Sequence, residues 1–132
     1  MEKTFFTQLL TPEGARFEGD TVSVQIPGSN GKFQVLYNHA PMVASLGIGE
    51  ITISQKDGTE LHYAVSGGFV EISNNRCTLL AEKAELDEEI DTAETSKLRN
   101  ELKAKLKSIR QNREEAELEL AIAENKLKIA NI

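Results

Sequence analysis

Two hydrophobic rhythms divide the chain. From Phe5 to Leu80 apolar residues recur at every second position, in the runs Val22, Val24, Ile26; Ile51, Ile53; Leu61, Tyr63, Val65; Val70, Ile72; and Cys77, Leu79. A period of two is that of a half-buried strand. Turn signals separate the runs at short intervals: Pro12-Glu13-Gly14, Gly19-Asp20, Asn30-Gly31, Asp57-Gly58, Gly67-Gly68 and Asn74-Asn75. Lys56-Asp57-Gly58-Thr59 predicts a two-residue hairpin, because Asp-Gly tolerates the positive φ values that such a turn demands. Many short strands at this spacing predict a sandwich or barrel. A unit of about 80 residues is near the lower limit for one core and leaves little room for a large pocket.

Beyond Glu82 the rhythm changes. No glycine or proline occurs between Glu71 and the C-terminus, and Ala, Leu, Glu and Lys dominate, a helix-forming composition. Asp91 with Glu94 three positions on predicts a capped helix starting near Thr92. Leu98, Leu102, Leu106 and Ile109 then fall on one stripe. A second start at Asn112 and Glu115 leads into another stripe of Ala116, Leu120, Ala123, Leu127 and Ala130. Two antiparallel helices, each burying its stripe on the other, are the compact solution. One continuous helix from Thr92 to Ala130, about 58 Å long, is sterically open as well. A rigid hairpin would place a glycine at the end of the first helix; its absence leaves the joint able to straighten. The fold class is therefore α+β, with a β-sandwich over residues 1–86 and a two-helix antiparallel hairpin over 87–132.

The second helix has a further apolar face. Leu118, Ile122, Ile129 and Ile132 lie almost opposite the first stripe, since two positions turn a helix by about 200°. The sandwich covers them in a folded-down hairpin, another protein covers them in an extended one, or they are solvent-tolerated residues at a frayed end. On the first helix Arg99, Lys103, Lys107 and Arg110 form a basic ridge beside the leucines. It is suited to an acidic partner, or else it is a solvated face with helical pairs such as Lys97 with Glu101 and Arg113 with Glu117.

Charge sharpens this division. The net charge of −6 speaks against nucleic acid, which needs clustered lysine and arginine. Residues 82 to 94 hold seven acids (Glu82, Glu85, Asp87, Glu88, Glu89, Asp91, Glu94), whereas 97 to 113 hold seven bases and only Glu101 in opposition. Such blocks mark a change of architecture or a partner surface. No apolar run approaches the ~20 residues that span a bilayer, and the start lacks the features of a secretory signal, so the chain is expected to stay where it is made. The one cysteine, Cys77, cannot form an internal disulfide and is expected to be a buried thiol in a reducing compartment.

Catalytic candidates are scarce. His39 precedes Ala40-Pro41 in a turn and His62 alternates out of phase with a strand's apolar residues, so both are expected to be exposed or structurally bonded. One cysteine and two histidines make a zinc site unexpected. Gly28-Ser29-Asn30-Gly31-Lys32 resembles a phosphate loop but lacks its spacing, the Ser or Thr after lysine, and the following helix.

The stretch from Pro27 to Gly49 has a more specific reading. Turns at Pro27-Gly28 and Asn30-Gly31 lead into a strand through Phe33 and Val35, and Asn38-His39-Ala40-Pro41 makes a second reversal. Together with Ser-Gly-Gly-Phe-Val-Glu at Ser66–Glu71, this resembles the small rotor subunit of F-type ATP synthases, called epsilon in bacteria and chloroplasts and delta in mitochondria. The likeness runs over most of the chain. It implies a ten-stranded β-sandwich followed by a helical hairpin, in a central-stalk subunit that transmits torque and does no chemistry of its own. By this resemblance Ser29, Asn30, Gly31 and Lys32 face the membrane ring of c subunits, and His39, Pro41 and Met42 lie toward the gamma subunit. Lys32 stands where an acid or another residue is often seen.

The resemblance further implies that the hairpin permits ATP hydrolysis when folded on the sandwich and blocks it when extended into the catalytic head. Arg99, Lys103, Lys107 and Arg110 would then meet a beta subunit, with alpha alongside, and Leu118, Ile122 and Ile129 would pack on gamma. Some bacterial members bind ATP at the hairpin base through Ile/Leu-Asp-x-x-Arg-Ala. Here Ile90 and Asp91 remain, but Glu94 replaces the arginine, so ATP sensing is expected to be weak or lost and no cofactor is implied. The implied location is peripheral, on the cytoplasmic face of a bacterial plasma membrane or on a thylakoid, with membrane contact only through the complex. Two other classes are weighed beside it: a free-standing sandwich adaptor with a coiled-coil tail, and a small enzyme, against which the lack of a titratable cluster counts.

Overall fold

A computed structural model describes residues 3–131. The strands are β1 (Phe5–Thr11), β2 (Gly14–Thr21), β3 (Ser23–Gly28), β4 (Gly31–Leu36), β5 (Met42–Ser45), β6 (Ile48–Ser54), β7 (Glu60–Ser66), β8 (Gly68–Ser73), β9 (Arg76–Ala81) and β10 (Ala84–Leu86). They form two five-stranded sheets, ordered β2-β1-β9-β8-β5 and β10-β7-β6-β3-β4. All pairings are antiparallel except β1 with β9, which run parallel with Leu9 opposite Leu79. A 3-10 turn at Asp87–Glu89 leads into α1 (Thr92–Ser108) and α2 (Arg113–Asn131).

Alternation places the apolar half of each strand between the sheets. Leu9, Val24, Ile51, Ile53, Val70 and Leu79 are fully buried there, each stabilising the fold by roughly 1.5–3 kcal/mol through burial alone. The polar exception is self-satisfied. Thr7 and Thr21 share a hydroxyl hydrogen bond of 2.8 Å, and Thr21 also donates to the Phe5 carbonyl at 3.0 Å. Cys77, expected to be a buried thiol, is 1% exposed, and burial pushes its pKa up to about 12.

The turns differ from expectation in two places. Gly19-Asp20, expected to separate two strands, lies inside β2 opposite Thr7 and Phe6, because the β1–β2 ladder runs through it. Asp57-Gly58 does not close a two-residue hairpin: the connection between β6 and β7 is the five-residue loop 55–59, in which Gly58 has positive φ and Asp57 does not. Asp57 instead accepts from the Thr59 amide at 2.9 Å, which lowers its pKa; an Asx turn has replaced the tight hairpin. The tight turn is at Asn74-Asn75, where both residues have positive φ. At Gly68, φ is +118° and an added Cβ would lie 2.0 Å from the Leu80 carbonyl oxygen, so the entry into β8 requires glycine.

The helices form the compact hairpin. Asp91 caps α1 by accepting from the Glu94 amide at 3.0 Å. Glycine is dispensable at the joint, because Asn112 adopts the left-handed conformation at φ +56° and the Arg113 guanidinium donates to the carbonyls of Leu106 at 2.6 Å and Ile109 at 3.0 Å. Two of the carbonyls left over at the end of α1 are thereby satisfied. One stripe is rotated from its predicted position. Leu102 is buried beside Thr95, but Leu98 is 45% exposed. The element that packs against α1 is α2, so the buried face is narrow and Leu98 falls at its rim. The α2 stripe lies as predicted, with Ala116, Ala123 and Leu127 buried.

Candidate interaction surfaces

The residues that the sequence singles out separate into distinct places on this scaffold. The β3–β4 hairpin is closed by Ser29 and Asn30, with Gly28 opposite Gly31. Its tip folds toward β5: the Ser29 amide donates to the Ser45 carbonyl at 2.9 Å and the Ser45 hydroxyl to Ser29 Oγ at 2.8 Å. Between tip and strand lies an open groove of about 670 Å³, to which Ser29, Asn30, Gly31, Lys32, His39 and Met42 all contribute. Residues assigned to two different partners thus share one concavity. Pro41 is exposed beside it.

The basic ridge is present on α1, where Arg99 Nε donates to Asn100 Oδ1 at 3.3 Å. Lys103 lies 3.7 Å from Glu124 of α2; Lys107 and Arg110 are exposed, and Arg99 is half-buried. The second face of α2 is divided. Ile122 and Ile129 are half-buried, while Leu118 stays 54% exposed. Ile132 lies outside the described residues. The partial cover is the sandwich itself, since α2 crosses β6 and β7. Asn125 donates to the Gly49 carbonyl at 3.0 Å, Lys126 pairs with Glu85 at 2.8 Å, and Arg16 of β2 pairs with Glu89 of the 3-10 turn. Between α2, α1 and β7 a cavity of about 390 Å³ remains, bordered by Leu98, Ile122 and Ala64.

At the hairpin base, Ile90 is 7% exposed and Asp91 is occupied as the helix cap. The adjoining hollow is lined by Glu85, Asp91, Glu94 and Glu101 against Lys97 and Lys126. Four carboxylates and two ammonium groups do not fit a nucleoside triphosphate, whose phosphates need an excess of donors and positive charge. His62 is bonded through Nδ1 to Glu50 at 2.5 Å. Burial raises the pKa of Tyr63, whose hydroxyl donates to the Arg16 carbonyl. Among the described residues no group of His, Cys, Asp and Glu is disposed to hold a metal ion, and no helix is long and apolar enough to cross a membrane.

One surface was missed in the sequence. On the outward side of the first sheet Leu80 stands opposite Phe69 and Leu10, and Val43, opposite Glu71, lies two residues along β5 from Ser45, the partner of Phe69. Phe69 is 49% and Val43 70% exposed. The signal was available: Phe69 and Leu80 are apolar at positions where β8 and β9 should turn polar residues to water. The outward side of the second sheet, by contrast, lies under α2 at Ala64, which is 5% exposed.

Comparison with known proteins places these surfaces in a family. The profile of the ATP synthase delta/epsilon chain β-sandwich domain matches residues 4–87. The ATP synthase epsilon chain of Halalkalibacterium halodurans is 34% identical over 130 residues, covering 96% of this chain and 97% of that one. Among solved structures, a chain of the Euglena gracilis mitochondrial ATP synthase, in an assembly of OSCP, F1 and c-ring, superposes with a TM-score of 0.86 at 25% identity, covering 96% of this chain and 81% of that one. A chain of the Tetrahymena thermophila mitochondrial ATP synthase central stalk and c-ring shares the fold, with a TM-score of 0.59 at 13% identity over 99% of this chain and all of that one.

Proposed function

Because the chain belongs to the delta/epsilon family of ATP synthase, as an epsilon subunit of the F-type enzyme, we propose that it is a rotor element without an active site of its own, coupling rotation of gamma and the c-ring to ATP synthesis in the catalytic head. The observation that carries this reading is the unequal treatment of the two sheets. One outward face is covered by the chain's own α2 over β6 and β7, although Leu36 of β4 stays exposed, and the other exposes Phe69, Val43 and Leu80. Exposed apolar side chains grouped on one sheet face in this way support an interface with another protein. The exposed face is the docking surface for gamma, continuous with His39, Pro41 and Met42, and the β3–β4 tip at Ser29–Lys32 meets the c-ring. Residues 1–86 form this coupling unit. The subunit is peripheral to the cytoplasmic face of a bacterial plasma membrane and reaches it only through the complex.

Residues 87–132 are regulatory in this reading. Folded down, α2 rests on β6 and β7 and, among the described residues, its polar ties to the sandwich are one backbone-directed hydrogen bond and one ion pair, an attachment weak enough to reverse. Extended, the hairpin carries Arg99, Lys103, Lys107 and Arg110 to beta and alpha subunits and Leu118, Ile122 and Ile129 to gamma, so each state has contacts that the other lacks. ATP at the hairpin base does not set the balance, because the carboxylates there disfavour it. A stop codon after Glu89 tests the regulatory half: the complex assembles and hydrolyses ATP faster, and an unchanged rate refutes an inhibitory tail.

A further inference from the structure

The loop that carries His39 and Pro41 leans on one side chain from a distant part of the sequence. Between β4 and β5 the Leu36 carbonyl accepts from the His39 amide at 3.2 Å, closing a four-residue turn. Its third residue, Asn38, has φ +65° while Tyr37 stays at negative φ, the arrangement of a type II turn. Such a turn has no internal acceptor for the amide of its third residue. The Asn38 amide donates instead to Asn75 Oδ1 at 2.8 Å. The other end of the same side chain is engaged as well, since Asn75 Nδ2 donates to the Thr4 carbonyl at 3.0 Å. Next to Thr4, the Lys3 ammonium stands 5.5 Å from the centre of the Tyr37 ring, a cation–π contact. Both halves of that contact therefore hang on Asn75. Asn75 itself is fixed by the tight turn between β8 and β9, at φ +61°, and its carbonyl accepts from the Phe6 amide at 3.3 Å.

We propose that Asn75 is a positioning residue for docking: by holding the Asn38 amide it fixes the Tyr37–Asn38 peptide, and with it the presentation of His39, Pro41 and Met42 to gamma. The proposal rests on the reading of this loop as gamma-facing and says which residue gives it its shape. Type I and type II turns differ by a flip of the central peptide. Loss of the Asn75 acceptor leaves an exposed turn free to make that flip, which redirects the chain entering β5. A loop that samples several shapes binds only from the competent one, and its apparent affinity falls in proportion to that population. The brace comes from the first sheet, in which β8 and β9 are interior strands, whereas the loop joins the edge strand β4 of one sheet to the edge strand β5 of the other. A crossing between two edges has no ladder of its own to stiffen it. If Asn75 served only to tie the start of β1 through Thr4, its loss would lower stability and leave docking intact.

Asn75→Gly keeps the left-handed turn without strain and deletes both side-chain bonds. Amide exchange followed by NMR should be about five- to ten-fold faster at Asn38, the worth of one hydrogen bond. The variant should rebind an ATP synthase head depleted of this subunit about ten-fold more weakly, chiefly through slower association, because the loop must first find its shape. Asn75→Asp retains an acceptor and should restore slow exchange at Asn38 and most of the affinity, measured in about 0.5 M salt to screen the added charge. Asn74→Gly is the matched control: it sits one residue earlier in the same turn, at φ +51°, and should dock as the native chain does. Thermal melts of each variant separate stability from docking. A lower melting temperature for Asn75→Gly with native docking overturns the proposal and leaves the tie to Thr4 as the role of the residue. A loss of docking in Asn74→Gly equal to that in Asn75→Gly overturns it too. Failure of the native chain itself to rebind overturns the rotor reading beneath it.

Discussion

The sandwich and the hairpin are held together by different physics. In the sandwich a continuous cluster that includes Leu9, Ile26, Ile53, Val70 and Leu79 is sealed between two sheets, and every strand is hydrogen-bonded to a neighbour distinct from its own chain segment. The hairpin buries Leu102, Ala116, Ala123 and Leu127, with Thr95, and three of these five side chains are alanine or threonine. Small side chains bring the helices close but remove little apolar surface from water. The lesson is that stability is partitioned. The sandwich holds most of the buried apolar surface, and the hairpin is the less deeply packed part.

The sharpest way to break that contrast is a matched pair of truncations. Leu79→Ala empties a fully buried site in the sandwich and should cost about 3–5 kcal/mol, whereas Ala123→Gly in α2 should cost about 1 kcal/mol from helix propensity and leave the sandwich transition unmoved. Urea denaturation followed by tyrosine fluorescence and by helical circular dichroism separates the two. Equal losses would dissolve the distinction.

Alkali probes the same division by a different route. The folded Cys77 thiol titrates near 12, against an ordinary value of 9.0, so the folded state prefers the neutral form. The resulting stability is fully present below pH 9 and is lost as the pH rises from 9 toward 12, at about 1.4 kcal/mol per pH unit. Cys77→Val should remove this slope from the sandwich transition while any loss of hairpin helicity in alkali persists. Thermal melts at pH 8, 9 and 10 report it.

Within the hairpin, Arg113→Ala removes the donor that satisfies Leu106 and Ile109 and should cost about 1 kcal/mol, read as a lower melting temperature of the helical signal with the sandwich signal unchanged. The smallest effect is expected at the tie itself. Lys126 and Glu85 are 30% and 36% exposed, and exposed pairs contribute 1 kcal/mol at the most, generally about 0.5. Lys126→Met should therefore raise amide exchange only in α2, by about two-fold.

The sandwich was legible in the sequence because alternation is a local signal that burial on one face enforces residue by residue. The α1 cap was legible for the same reason, since Asp91 acts on an amide three residues away. What escaped depends on distant partners. Leu98 looks like a stripe residue until α1 is seen to lean chiefly on α2. Arg113 gave no sign of being the cap that replaces a glycine, as its targets sit four and seven residues back across a turn. Phe69 and Leu80 were absorbed into strand assignments, and only the pairing of β8 with β9 reveals them as neighbours on one outward face. At the site, Ser29–Lys32 and His39–Met42 were each legible as turns, but their meeting in one groove needs the tip to fold onto β5.

The parallel union of β1 with β9 has a consequence for synthesis. Leu9 finds Leu79 across the intervening seven strands, a closure whose entropic cost precedes any reward. A nascent chain therefore carries its first strand with one of its two flanks vacant until the ninth has left the ribosome, and that open edge is a place for mispairing with other chains. The helices emerge after all ten strands, and the surface on which α2 settles is by then complete.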